Sequence, residues 1–197
     1  MPVATELRGR RLVIGDAGDG IGRSIAAVAV AAGARVLLVC RDGDAAASLS
    51  RELGDDALPL EADLGTEDGV DTVVMSVAIT LGSADGVVLV RDPAPAGPAL
   101  ELADEEWLAC LGPLVTKPVR LLRGLAPQLT PGSTAVLLAP GGAPATGAAA
   151  VVHGLLASLA AVLTAELAPS SVGVRLLDGT PVEALEALAS DATRAGG

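Results

Sequence analysis

The sequence predicts a single α/β domain: a doubly wound parallel sheet of about six strands between two layers of helices. Three observations carry this. Short β-branched runs alternate along the chain with Ala- and Leu-rich stretches of helical length. The runs lack polar alternation, as in Val87-Val88-Leu89-Val90, so both faces of the sheet are covered. Glycine- and proline-rich segments follow the first, fourth and fifth runs, at the carboxyl ends where open α/β sheets bind ligands. With 197 residues, 51% of them hydrophobic, the chain can bury one sizeable core.

Taken in order, the predicted strands are Leu12–Gly15, Arg35–Cys40, Ala57–Leu60, Gly86–Val90, Ala135–Leu138 and Val174–Leu177. The intervening helices are predicted over Gly20–Ala32, Asp44–Leu53, Glu67–Leu81, Asp104–Leu125, Ala148–Ala168 and Val182–Ser190. Right-handed crossovers between them give the doubly wound order. Asp92–Pro98 is too proline-rich for helix or strand and reads as a stiff loop, and Pro140–Gly147 as a second one. Acids at Asp104, Glu105 and Glu106 suit a helix start, with Asp104 as cap and Trp107 as the anchor against the sheet.

Composition removes whole classes of function. The chain has no Tyr, Phe or Asn, and one each of Lys (Lys117), His (His153), Gln (Gln128) and Trp (Trp107). A net charge of −11 repels phosphate backbones, and one aromatic residue leaves little to stack bases on, which argues against nucleic acid. One His and two separated cysteines, Cys40 and Cys110, make no familiar metal site and suit a reducing cytoplasm. The longest apolar stretch, Ile25–Cys40, contains Gly33 and Arg35 and reads as helix, turn and strand rather than a membrane span. The expectation is a soluble cytoplasmic protein.

The strongest local signal is Val13-Ile14-Gly15-Asp16-Ala17-Gly18-Asp19-Gly20-Ile21-Gly22, between the first strand and the first helix. Glycines there let backbone approach a pyrophosphate at a helix N-terminus, or simply permit a tight turn. Arg41 could pair with a phosphate or be a surface arginine beside Asp42 and Asp44. Asp63, followed by Leu64-Gly65-Thr66, could accept from an adenine amine or start a turn.

In its order of motifs the chain resembles the short-chain dehydrogenase/reductase family over roughly residues 8 to 181. The match runs through Gly20-Ile21-Gly22, Ala62-Asp63-Leu64, Ser83-Ala84-Asp85-Gly86-Val87-Val88, Glu105-Glu106-Trp107 and Leu163-Thr164-Ala165-Glu166-Leu167-Ala168-Pro169. The resemblance implies a Rossmann-like three-layer fold. Its cofactor site would comprise Gly15, Gly18, Gly20, Ile21, Gly22, Arg41, Asp63 and Leu64. Arg41 would favour NADP over NAD.

Against that frame the departures are systematic. Gly15-Asp16 stands for the family's Thr-Gly, so a carboxylate replaces the glycine nearest the phosphates, with Asp19 close by. One such repulsion at ~5 Å and an effective dielectric near 20 costs about 3 kcal/mol, roughly a hundredfold in affinity. The expected cofactor binding is therefore none or weak. The family's Asn-Asn-Ala-Gly reads Leu89-Val90-Arg91-Asp92, its helical asparagine falls near Leu114, and its serine at Ala139 or Pro140. A gapless match through Ala165–Pro169 places the tyrosine at Ala149 and the lysine at His153. Matching through the loop instead gives His153 and Ala157.

His153 thus becomes the candidate acid or base, or else a buried histidine with a backbone partner. The helices near 104–125 and 148–168 are expected to pair with a second copy or a relative, because the second is apolar around most of its circumference. The family's final helices and strand are expected to be shortened after Asp178-Gly179-Thr180-Pro181. The leading expectation is a non-catalytic subunit. A non-redox enzyme using His153 (dehydration, cyclisation or isomerisation) comes second, and an NAD(P)-dependent oxidoreductase with an atypical proton donor third.

Overall fold

The computed structural model describes residues 7–18, 20–90, 94–139 and 146–192. Six parallel strands form one sheet in the order β3-β2-β1-β4-β5-β6. They are β1 (Arg11–Gly15), β2 (Arg35–Cys40), β3 (Ala57–Glu61), β4 (Ala84–Val90), β5 (Leu129–Ala139) and β6 (Gly173–Asp178). The helices are α1 (Gly20–Ala31), α2 (Gly43–Leu53), α3 (Glu67–Ser76), α4 (Asp104–Leu125), α5 (Gly147–Leu167) and α6 (Pro181–Ala192). The strand order reverses between β1 and β4, so the loop leaving β1 opens onto the crevice at the switch point.

Alternate strand residues feed two cores. Leu12, Ile14, Val36, Leu38, Val88, Val136 and Leu138 face α1, α2 and α6. Val13, Leu37, Val39, Val87, Leu89, Ala135 and Leu137 face α3, α4 and α5. The period-2 geometry of a strand therefore divides continuous apolar runs between two helix layers.

Three elements depart from expectation. The helix expected over Glu67–Leu81 is α-helical only to Ser76, and Val77–Leu81 continue as a π turn. That turn buries both Val77 and Leu81 and ends at Gly82, whose φ of 76° suits glycine alone. β5 begins six residues before the expected Ala135, because Leu129–Thr134 pair irregularly with Ala84–Gly86 instead of forming a loop. At the start of α4, Asp104 does not cap: Glu106 reaches back to accept from the Ala103 amide at 3.0 Å. Trp107 is half-buried and packs beside Leu114, Val152 and Leu156, so it anchors α4 to α5 rather than to the sheet.

Below the sheet, at the amino ends of β1 and β4, Asp85 collects four hydrogen bonds. The Arg11 guanidinium donates from Nε at 2.9 Å and from its terminal nitrogen at 2.7 Å. The Arg11 amide donates at 2.9 Å, and the Thr130 hydroxyl at 2.9 Å. Burial pushes the Asp85 carboxyl up, but the Arg11 and Thr130 hydrogen bonds outweigh it and hold the group below its ordinary value. At the opposite end, Thr180 and Glu183 cap α6 reciprocally, the Thr180 amide donating to Glu183 at 2.6 Å. Glu183 is held below its ordinary value by that backbone hydrogen bond and then by the Thr180 hydroxyl.

Helix α5 with its 3-10 extension to Ser170 is, among the described residues, long and apolar enough to cross a membrane by length and composition. Its apolarity has two sources. Ala148, Val152, Leu156, Ala160 and Leu163 are buried. Val151, Leu155 and Val162 form a second, exposed stripe.

Candidate functional site

Asp16 gives the glycine loop a left-handed bend. Asp16 has φ 53°, a left-handed conformation that asparagine and aspartate tolerate better than most residues. The chain therefore bends at this position much as a glycine would. Gly22 is fixed by contact: a Cβ there would lie 2.2 Å from the Asp16 carbonyl oxygen. Gly20 has φ 52° with open space around it, and a Cβ at Gly18 would meet Cys40 only in ordinary contact. Ala17 N–H donates to the Val39 carbonyl at 3.0 Å, tying the loop to β2. Gly15 ends β1 between the side chains of Leu89 and Leu64, and Ile21 packs half-buried against the core.

Gly22→Ala is expected to cost roughly 2 kcal/mol or more, read as a lowered urea midpoint. Alanine in a solvated helix would ordinarily gain up to about 1 kcal/mol over glycine. The clash is with backbone, so no side chain can yield, and the sign reverses.

Asp16 does not stand alone, which corrects the repulsion expected from the sequence. Lys117 crosses from α4 and donates from Nζ to Asp16 Oδ2 at 3.1 Å, with side chains only 10% and 25% exposed. A cation beside the carboxylate offsets much of the charge a bound diphosphate would meet. Asp19 lies outside the described residues. The Lys117 stem, with Leu89, Val90, Pro113, Leu114, Pro118, Leu137 and Leu156, lines a small apolar cleft of about 20 Å³. Leu114, where the family's asparagine was expected, forms part of that wall and offers no polar group.

Asp63 adopts the turn role: its Oδ1 accepts from the Gly65 amide at 2.8 Å, while Leu64 is buried. Arg41 is exposed at the end of β2 and makes no hydrogen bond or ion pair among the described residues. Its neighbour Asp42 instead caps α2, accepting from the Asp44 amide at 2.9 Å and the Ala45 amide at 3.2 Å. Arg91, Asp92 and Pro140 lie outside the described residues.

His153 has a carboxylate partner rather than the backbone partner expected. Its Nδ1 is 3.1 Å from Oδ1 of Asp178, the last residue of β6, and the side chains are 22% and 20% exposed. Both atoms are buried, and neither is aligned as a hydrogen bond or makes another. The pair sits at the carboxyl edge of the sheet, since Asp178 is in register with Ala139, the end of β5. Thr164 joins the same two elements: its hydroxyl bonds the Val174 carbonyl at 2.8 Å and accepts the Val174 amide at 2.9 Å, clasping α5 to β6. The N-terminus of α5 is held by the Ala148 amide donating to the Gly97 carbonyl at 2.9 Å.

Sequence reasoning missed Asp178 and Lys117 as site residues. Asp178 closes an apolar strand with a charge, and Lys117 stands three residues after Leu114, on one helical face with it. Both placements were signals. Among the described residues no group of three His, Cys, Asp or Glu side chains could hold a metal ion.

A switch-point crevice with a glycine loop at the end of β1 is the place where open α/β sheets bind ligands. The family model described as "Enoyl-(Acyl carrier protein) reductase" matches residues 15–194. The chain belongs to the short-chain dehydrogenase/reductase family. It is similar to a 3-ketoacyl-(acyl-carrier-protein) reductase from Brucella melitensis complexed with NADH, at 27% identity and a TM-score of 0.76, over 88% of this chain and 76% of that one. Similarity to the L-sorbose reductase of Gluconobacter frateurii, complexed with NADPH and L-sorbose, is 27% identity and a TM-score of 0.71, over 87% and 69% of the two chains. A short-chain type dehydrogenase/reductase from Mycobacterium marinum shares the fold at 22% identity and a TM-score of 0.79, over 95% and 91%.

Proposed function

We propose that this chain is an NAD(P)-dependent oxidoreductase of its family in which His153 and Asp178 take over the proton transfer of the missing tyrosine and lysine. The observation that carries this reading is the 3.1 Å contact between His153 Nδ1 and Asp178 Oδ1 at the carboxyl edge of the sheet. A lone histidine rarely makes a site, whereas one with an oriented carboxylate has a fixed ring and a stabilised cation.

The residues fit a dinucleotide. Gly22 leaves no room for a side chain beneath the loop, Gly20 is open, and Arg41 offers an exposed guanidinium where a 2′-phosphate would favour NADP. When bound, the nicotinamide supplies a hydride to a carbonyl carbon. The carbonyl oxygen takes its proton from His153, whose Nε2 is left for the substrate because Nδ1 faces Asp178. Asp178 sets its carboxylate against Nδ1, the side of the ring away from the substrate. The apolar wall of Leu114, Leu137 and Leu156 excludes water from the cleft. The relatives' NADH and NADPH complexes support the cofactor class.

The test is NADPH oxidation by the purified protein over a panel of small ketones, with NADPH binding followed by fluorescence. Nucleotide binding and ketone-dependent oxidation that falls in His153→Ala are expected. Conversion of a substrate without nucleotide oxidation would move the pair to non-redox acid–base chemistry.

A second reading, a non-catalytic subunit paired with an active relative, is favoured by Leu114 and Ala149 at positions where the family's asparagine and tyrosine fall. It predicts no turnover and co-purification with a catalytic relative. Under either reading, α4 and α5 are proposed to pair with a second copy or a relative. Support comes from exposed Leu108, Val151, Leu155 and Val162, with Gly154 and Ala161 permitting close approach on α5. Val151→Lys with Val162→Glu is expected to convert an assembled form to monomer in sedimentation velocity, with an unchanged circular dichroism spectrum. Cys40 and Cys110 are thiols rather than halves of a disulfide, which suits a cytoplasmic protein.

A further inference from the structure

We propose that Asp16 and Lys117 form a displaceable charge clamp that sets the nucleotide affinity of the site, with Lys117 as the cation that meets the ligand's diphosphate. The inference rests on the reading that the crevice binds a dinucleotide. Asp16 stands in the left-handed position of the glycine loop, where the phosphates of a ligand come closest to backbone. Its Oδ2 holds Lys117 Nζ at 3.1 Å, and α4 delivers that lysine across the mouth of the loop from between two proline-marked turns. The Asp16 carboxylate therefore occupies, for Lys117, the role an incoming phosphate oxygen would take.

The two charges have opposite consequences for a diphosphate. Asp16 repels it and competes with it for Lys117. Lys117 attracts it and, while paired, offsets the Asp16 charge. Only a quarter of the Asp16 side chain is exposed and a tenth of the lysine, so solvent screens both weakly. A ligand able to take over Lys117 must carry at least the charge density of a carboxylate, which selects phosphoryl groups over neutral ligands. Because the Asp16 backbone already has the conformation glycine adopts, Asp16→Gly removes the competitor without reshaping the loop.

The experiment is titration of NADPH, and separately of inorganic diphosphate, into wild type, Asp16→Gly, Lys117→Met and Lys117→Arg, with thermal unfolding of each variant as the folding check. The expected result is at least tenfold tighter NADPH binding in Asp16→Gly and at least tenfold weaker binding in Lys117→Met. Recovery to within about threefold of wild type is expected in Lys117→Arg, and the differences should largely persist at raised salt. If wild type binds NADPH and all variants match it within twofold, the clamp is overturned and the cofactor reading stands. If wild type does not bind but Asp16→Gly does, the clamp stands and cofactor use by the natural chain is overturned. Binding by none of the four overturns both. Should Lys117→Met fail to fold, Asp16→Gly alone decides between these outcomes.

Discussion

Asp178→Asn is expected to lower kcat for ketone reduction by roughly a hundredfold while leaving the KM for NADPH within twofold. The carboxylate lies against Nδ1 of His153 on β6, three strands across the sheet from β1 and its glycine loop, so its charge acts on the imidazole rather than on nucleotide. Asparagine keeps the volume and removes the carboxylate charge that faces the ring. His153→Ala should fall at least as far, because it removes the proton carrier itself, and added imidazole should restore part of the rate. The pair acts as a unit, so the double variant is expected to lose little beyond His153→Ala alone. Equal rates in wild type and Asp178→Asn would remove the pair from the chemistry and leave the subunit reading in its place.

The largest expected effect on stability is at the other end of the sheet. Asp85→Asn should lower the unfolding free energy by about 3 kcal/mol, or roughly 6–12 °C in thermal midpoint for a domain of this size. The change leaves Arg11 without its bidentate acceptor at the foot of β1 and weakens the link to Thr130 on β5. The pH dependence follows from the lowered carboxyl. Asp85 is ionised in the fold at a pH where the unfolded chain already binds a proton, so its contribution is complete above the ordinary carboxylate range and is lost as pH falls through the depressed value. Asp85→Asn should therefore show a shallower loss of stability on acidification than wild type, measured by urea titration between pH 7 and pH 3.

The fold was largely written in patterns that depend on neighbours along the chain. Uninterrupted apolar runs such as Arg35–Cys40 gave strands, and the long Asp104–Leu125 period gave α4 to the residue, despite Pro113 and Pro118 inside it. What failed was non-local or cooperative. The irregular start of β5 depends on pairing with Ala84–Gly86, and the π turn after Ser76 depends on where Val77 and Leu81 find burial. The same division holds in the site. Gly15, Gly18, Gly20 and Gly22 were legible because their spacing is local. The partners of Asp16 and His153 were not, since Lys117 is 101 residues from the first and Asp178 comes from another strand. A carboxylate judged from its own loop reads as bare charge, and only the folded chain shows it compensated.

The clasp that Thr164 makes with Val174 has a mechanical consequence. It anchors the far end of α5, leaving His153 about three turns along a stiff rod whose opposite flank carries Val151 and Leu155. The Ala148 amide ties the other end to Gly97, so the helix is a beam held at both ends with His153 between its supports. A load on the outside of α5 is therefore carried by two supports, and the span that bears it is the one that faces Asp178.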